Sequence, residues 1–404
     1  AGNRSVDAPA QSFVVDTTPP AVPAPVAYTP DPTNAASPVV GWAAVAGAAG
    51  YGVQFDKVAS FNSADLGSAT ISATSAALPL GSDGTWYWRV RSIDAVNNAS
   101  AWSAADSFVR DIAAPANPAL SSPANNALLA SRGVTLAWGA VADAAAYLVD
   151  YSQSTTLANY ERVETTGTSQ ALALPVDGDW YWRVLSRDAA GNLSATATAT
   201  IRKVTIDTAP PAAPALAAIA SPTNDSTPTL SWSAVTGATA YVVSVDGVET
   251  AVTGTSHTPT VALAEGTHTW TVAARDAAGN RGDSAGLQTF VVDTVAPAAP
   301  TFVIAQSPYS SSGRVTLQVT TSGAATMMLS NRSDFSGAAW EGFTASRDWD
   351  LESGDGARSV YLKLQDAAGN TTAPVQASTT LDTTAPANLA VSIAAVRQSE
   401  AAAK

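Results

Sequence analysis

Short runs in which apolar and polar residues alternate recur along the chain. Val40-x-Trp42, Leu136-x-Trp138 and Leu230-x-Trp232 each place two large side chains on one face, as a strand with one buried surface requires. Nine residues after each Trp stands Tyr51, Tyr147 or Tyr241, followed two residues on by Val53, Val149 or Val243. A longer run comes later in each segment: Trp86-x-Trp88-x-Val90, Trp180-x-Trp182-x-Val184 and His268-x-Trp270-x-Val272, closing at Asp94, Asp188 and Asp276. These runs predict three copies of one set of strands, lettered B, C and F by their order in a two-sheet sandwich. Outward positions such as Tyr87, Arg89 and Arg183 are polar or amphipathic.

A fourth copy is divergent. Val315, Leu317 and Val319 suit strand B, Met327 and Leu329 strand C, and Val360 and Leu362 strand F. Its tryptophans, Trp340 and Trp349, lie between C and F, in a segment predicted to supply the middle strands. A Gly-containing corner precedes each strand F, and the sequence DAAGN, DAVNN in the first copy, follows it. Gly there is suited to a hairpin with positive φ.

The phrase Asp-x-x-x-Pro marks the period. It begins at Asp16, Asp111, Asp207, Asp293 and Asp382, with spacings of 95, 96, 86 and 89 residues. The prolines that follow can neither donate to a ladder nor extend a helix, so these phrases read as stiff linkers into a first edge strand. The predicted division is a tail strand of a preceding repeat at 1–15, repeats at 16–110, 111–206, 207–292 and 293–381, and at 382–404 the first strand of a following repeat with a tail. Both ends thus read as incomplete domains, with lone strands at Gln11 to Val15 and Asn388 to Ile393. Orphan strands of this kind are suited to pairing with neighbouring copies and to filament growth by strand complementation.

Composition agrees with several small cores. At 404 residues, 46% hydrophobic and 13% charged, with 11 Trp, the sequence is globular and too long for one sandwich. It has no stretch near the roughly 20 apolar residues of a membrane span, so no membrane insertion is expected of it. The net charge of −13 disfavours nucleic acid and anionic membranes and favours cations. The absence of cysteine excludes disulfides and thiolate metal sites. With the Thr, Ser, Ala and Gly content, this composition suggests a bacterial extracellular or cell-surface location.

The B-strand Trp, the C-strand Tyr and the F-strand phrase WYWRV resemble fibronectin type III repeats of bacterial type. The third and fourth repeats, with DAAGN and DTxAP, are similar to the bacterial immunoglobulin-like repeats of large secreted adhesins. The resemblance covers nearly all of residues 16 to 382. It implies an all-β chain of tandem Ig-like and fibronectin type III sandwiches in an elongated rod, serving as a structural stalk or adhesin region. A spacer or carbohydrate-binding array in a secreted polysaccharide-degrading enzyme is the other role that such modules imply, since the fold hosts many functions.

The chain lacks a P-loop, HExxH and a dinucleotide fingerprint. It has two histidines. His268 occupies the strand-F place of Trp86 and Trp180, which predicts a packing role, and His257 in SHTPT is expected on a surface loop. The chain is therefore not expected to be an enzyme.

The acids recur in register. Asp94, Asp188, Asp276 and Asp366 end strand F, and eleven residues before each stands Asp83, Asp177, Glu265 or Asp355. In a sandwich of this topology the loop after F lies at the N-terminal end of the domain and the corner before F at the C-terminal end. Each junction is then expected to gather three acids: Asp83, Asp111 and Asp188; Asp177, Asp207 and Asp276; Glu265, Asp293 and Asp366. Such a set suits Ca²⁺, which takes six to eight oxygen ligands. The competing reading is that these acids are turn formers that accept bonds from nearby backbone N–H groups.

Arg281-Gly282-Asp283 matches the integrin-binding tripeptide of animal fibronectin type III repeats, although AGNRGDSAGLQTFVVD differs little from AGNRSVDAPAQSFVVD at the start of the chain. The partners expected are other repeats or neighbouring copies, with a host-surface or glycan target. The inward phase of the tryptophans argues for core over a sugar platform and leaves Tyr87, Tyr181 and Trp102 as the exposed aromatics.

Overall fold

The computed structural model describes residues 8–387. The chain divides after Ala209 into two compact units, and each contains two β-sandwiches. In the first repeat, strands A (Pro25–Val26), B (Val39–Trp42) and E (Ser75–Ala77) form one sheet in the order A-B-E. Strands C′ (Gly67–Ile71), C (Gly50–Asp56), F (Gly84–Ile93) and G (Asp106–Arg110) form the other in the order C′-C-F-G.

The second repeat repeats this plan, with A (Leu120–Ser122), B (Gly133–Trp138) and E (Ser169–Ala173) facing C′ (Glu161–Thr165), C (Ala146–Ser152), F (Gly178–Arg187) and G (Arg202–Ile206). A short strand A′ (Ala127–Leu129) adds to G in parallel. In the third, B (Leu230–Ser231) pairs with E (Ser256–His257), opposite C′ (Val248–Val252), C (Ala238–Val245), F (Gly266–Asp276) and G (Gln288–Val292). The fourth has A (Thr301–Ile304), B (Arg314–Thr320) and E (Ser346–Asp350) against A′ (Tyr309–Ser310), G (Val375–Leu381), F (Gly356–Gln365), C (Thr326–Ser330) and C′ (Glu341–Gly342). The segment around Trp340 and Trp349 thus supplies C′ and E, the middle strands.

Alternation and register explain the cores. Val53 lies opposite Val90, Val149 opposite Val184, and Val243 opposite Val272 across the C–F ladders. In the fourth repeat Leu329 and Leu362 take the same places. Because side-chain direction reverses at each residue, that register carries Trp88, Trp182 and Trp270 inward, where they are 0, 1 and 1% exposed. The B-strand Trp packs on the C-strand Tyr with ring centroids 5.4, 5.6 and 5.5 Å apart in the first three repeats. Each Tyr hydroxyl in turn accepts the backbone N–H of Val45, Val141 or Val235, at 2.9, 2.9 and 3.0 Å. The tyrosine therefore fixes the B–C loop as well as filling the core.

Every strand F begins at a glycine with φ between +115° and +121°, at Gly84, Gly178, Gly266 and Gly356. That conformation is closed to residues with a Cβ, which explains the glycine corner.

Two local expectations are corrected. Gln11 to Val15 forms no strand, and Phe13, Val14 and Val15 are exposed; an apolar run becomes a strand only where a ladder partner accepts it. The predicted strand from Asn388 to Ile393 lies outside the described residues. His257 belongs to strand E, opposite Leu230, and not to a loop.

Candidate functional site

The residues singled out by the repeat register meet at the linkers. Each linker aspartate forms a tight turn with its own backbone: Asp16, Asp111, Asp207, Asp293 and Asp382 accept the N–H two residues on through Oδ1, at 3.0 to 3.2 Å. A short carboxylate is suited to this Asx turn. The linker aspartates after each sandwich are also tied back to it, because their N–H groups donate to the carbonyls of Thr33, Leu129, Thr223 and Ser310 at 2.9 to 3.0 Å.

The corner acid before strand F holds the linker that follows the same sandwich. Asp177 accepts the N–H and hydroxyl of Thr208 at 3.0 and 2.8 Å and pairs with Arg132 at 2.8 Å. Glu265 accepts the N–H of Thr294 at 3.1 Å and its hydroxyl. Asp355 accepts the N–H and hydroxyl of Thr383 at 2.8 and 2.7 Å, and the hydroxyl of Thr384. The backbone N–H of Thr208, with Arg132 and the Thr208 hydroxyl, holds the Asp177 carboxyl down to about 2. Asp355 is likewise held at about 2, first by the Thr384 hydroxyl and then by the Thr383 N–H. These bonds account for the Thr after Asp in the phrases at Asp207, Asp293 and Asp382. The first repeat has Ile112 there, and its corner acid Asp83 pairs instead with Arg110 at 3.0 Å.

The hairpin after strand F holds the linker that precedes its sandwich. Asp188 accepts the N–H and the side-chain amide of Asn192, both at 2.8 Å, while the same amide donates to the backbone carbonyl of Asp111 at 2.8 Å. Asn98 joins Asp94 to the carbonyl of Asp16 at 2.8 and 2.9 Å. Asn370 joins Asp366 to the carbonyl of Asp293 at 2.9 and 2.6 Å. Burial pushes the Asp94 carboxyl up, but the Asn98 amide and three backbone N–H groups outweigh it and hold the group below its ordinary range. Gly191 and Gly369 take φ of +94° and +98° in these hairpins. In the divergent DAVNN hairpin Asn97 adopts φ of +70°, a region asparagine tolerates, so the latch keeps its form there.

Within each unit the register places the acids beside the linkers, yet it does not bring together the carboxylates of Asp83, Asp111 and Asp188, or those of Glu265, Asp293 and Asp366. Among the described residues no three His, Cys, Asp or Glu side chains form a group fit to hold a metal ion. The sets Asp83, Asp111, Asp188 and Glu265, Asp293, Asp366 are separated by the amide, hydroxyl and guanidinium donors that each acid accepts. Asp207 and Asp276 behave as turn residues in the same way, Asp276 capping Gly279 and Asn280 at 2.8 Å. The donor set present does not fit a preformed Ca²⁺ cage. What sequence reasoning missed is Asn98, Asn192 and Asn370, whose constant place in the hairpin was the available signal.

The remaining candidates take structural positions. Arg281-Gly282-Asp283 lies in a short strand, Arg281–Ser284, beside strand F. Arg281 is bound to both carboxylate oxygens of Glu249 at 2.7 and 3.1 Å. His268 Nε2 lies 2.8 Å from Ala264 O and Nδ1 2.6 Å from Asp246 Oδ2, and the protonated ring donates to both. The indoles of Trp86 and Trp180 make the equivalent bond to Ser82 O and Val176 O, also four residues back. Trp102 is half-buried beneath the guanidinium groups of Arg89 and Arg91, at 4.9 and 4.6 Å.

Comparison with known proteins gives partial matches. Residues 219–294 match the family model described as a bacterial Ig-like domain. Over 171 residues the chain is 34% identical to Chitinase A1 of Niallia circulans, which covers 40% of this chain and 24% of that protein. The chain therefore spans about a quarter of the length of that relative. Among solved structures, the FN1–FN3 domains of chicken CNTN1 align at 14% identity and a TM-score of 0.35, covering 68% of this chain and 99% of that one. The fibronectin(III)-like modules of Clostridium thermocellum CbhA align at 11% identity and a TM-score of 0.33, covering 44% and 94%.

Proposed function

We propose that this chain, a tandem series of Ig-like and fibronectin type III-like sandwiches, is a non-catalytic structural spacer of a secreted bacterial protein. The observation that carries this reading is the two-sided hold on the linkers. At Asp293 the preceding sandwich grips Thr294 through Glu265, and the following one grips the Asp293 carbonyl through Asn370. A linker held from both sides transmits the orientation of one sandwich to the next, whereas a free linker acts as a hinge. Function then resides in geometry, and the inward tryptophans serve the cores.

The match to a chitinase over 171 residues favours a parent protein that degrades polysaccharide over a surface adhesin. The chain has no cysteine, so pairs of introduced cysteines can be spin-labelled without background. Labels at Ser60 and Thr166, on either side of the Asp111 linker, are expected to give one narrow distance distribution by double electron–electron resonance. A broad distribution, or hydrolysis of chitin, cellulose or xylan by the chain itself, would sink the reading.

A further inference from the structure

We infer that the fourth repeat carries a binding site for a neutral oligosaccharide, in a mouth between strands C′ and E. This goes beyond a spacer role. In the first three repeats C′ is five residues long. In the fourth it shrinks to Glu341–Gly342, while strand E pairs only with strand B, as it does in every repeat. The edge of the sandwich is correspondingly open. At the same place this repeat departs from the others in its aromatics: Val360 and Leu362 fill the core on strand F, and the two indoles sit at the mouth.

Two clefts meet there. One, of about 270 Å³, is lined by Leu329, Ala338, Trp340, Glu341 and Trp349. A second, of about 260 Å³, shares Leu329 and Trp349 and adds Asn331, Arg332 and Glu352. Trp349 lies opposite the core residue Val315, so its ring points inward and is half-buried. Its Nε1 donates to Asn331 Oδ1 at 2.8 Å, which fixes the plane of the ring. Trp340 is 37% exposed.

The charged groups select the ligand. Arg347 pairs with Glu341 at 3.0 Å, and Arg332 and Glu352 line the second cleft. Cations and anions are interleaved and already compensate one another, so a strongly charged ligand would meet as much repulsion as attraction. A sugar hydroxyl both donates to a carboxylate and accepts from a guanidinium, and the apolar face of a pyranose ring covers an indole. Fixed aromatic walls with paired polar groups at the rim are the combination that such a ligand requires.

Affinity electrophoresis of the full chain tests this, with gels containing glycol chitin, hydroxyethylcellulose, xylan or mannan, and alginate as the anionic control. At least one neutral polysaccharide is expected to retard the protein. Trp340→Ala is expected to weaken that retention tenfold or more, and Trp102→Ala in the first repeat to leave it unchanged. Circular dichroism melting verifies that Trp340→Ala is folded, as its exposure predicts. The inference is overturned if no neutral polysaccharide retards the chain, if alginate alone does, or if Trp340→Ala is retained like the parent chain. Those failures leave the spacer reading intact, since that reading stands or falls on the linker distances and the hydrolysis assay.

Discussion

The side-chain amide of Asn192 donates to the backbone carbonyl of Asp111, 81 residues earlier, while its other hydrogen is held by Asp188. Both amide hydrogens are committed, one inside the hairpin and one across the domain boundary. Asn98 and Asn370 repeat the arrangement at Asp16 and Asp293. A hairpin that looks like ordinary turn chemistry is therefore also the joint between sandwiches.

Replacing Asn192 with Ala removes the bond to the linker and leaves the buried Asp188 carboxylate with fewer donors. The expected cost is about 2 kcal/mol in local stability. The spin-label distance across Asp111 should broaden, and limited proteolysis should cut within 111–115 faster than in the parent chain. An unchanged distribution would show that the linker is held by other contacts.

Because the junction acids within each unit are satisfied by protein donors, divalent cations are not expected to stabilise those junctions. Melting in millimolar Ca²⁺ and again in chelator should give midpoints within about 1 °C, as a ligand that binds only the folded state would raise the midpoint. A saturable upward shift in Ca²⁺ would restore the junction triads as metal sites.

Asp177 and Asp355 are held at about 2, against an ordinary value of 3.8. A depressed carboxyl stabilises the fold above its unfolded value, and that contribution is lost as pH falls through the folded value. The corner grip on Thr208 and Thr383 should thus weaken between about pH 4 and pH 2. Thr208→Val should move the Asp177 midpoint upward in a carboxyl carbon titration by NMR.

His268 is raised above its ordinary 6.5, first by the Ala264 carbonyl and then by Asp246, and Asp246 is lowered by the same pair, with burial opposing. A raised histidine contributes its full stability below 6.5 and loses it as pH rises through the folded value. Amides of the third repeat, such as those of Thr269 and Val272, should be better protected at pH 6 than at pH 8.5 after correction for intrinsic exchange. His268→Trp, the residue of the first two repeats, should flatten that dependence.

Gly282 has a packing role. A Cβ at this position would lie 2.1 Å from the carbonyl oxygen of Pro211, a contact that only backbone movement relieves. Gly282→Ala is expected to destabilise the third repeat by about 1–3 kcal/mol, as overpacking does. Chemical denaturation of the chain followed at that repeat's peptides would measure it. If the variant matches the parent, the strand has room to shift.

How much was legible in the sequence follows from how local each feature is. Trp88, Trp182 and Trp270 were identifiable as core because alternation on a strand is a property of neighbouring residues. The linkers were identifiable from Asp and Pro, whose backbone preferences are also local, and the shared end of each sandwich followed from topology. The acid register suggested convergence of carboxylates, and the structure replaced it with amide and hydroxyl donors. Asn192 meets a main-chain carbonyl, which leaves no mark in a sequence because every residue carries one.

The sequence by itself determined the main strands of the described residues and their inward faces, since period-two burial and turn chemistry act over a few residues. Only the tertiary structure decided what each acid faces, that Arg281 is spent on Glu249, and that Trp349 is turned into an open edge. Those outcomes depend on groups tens of residues apart coming within about 3 Å, the range over which hydrogen bonds form.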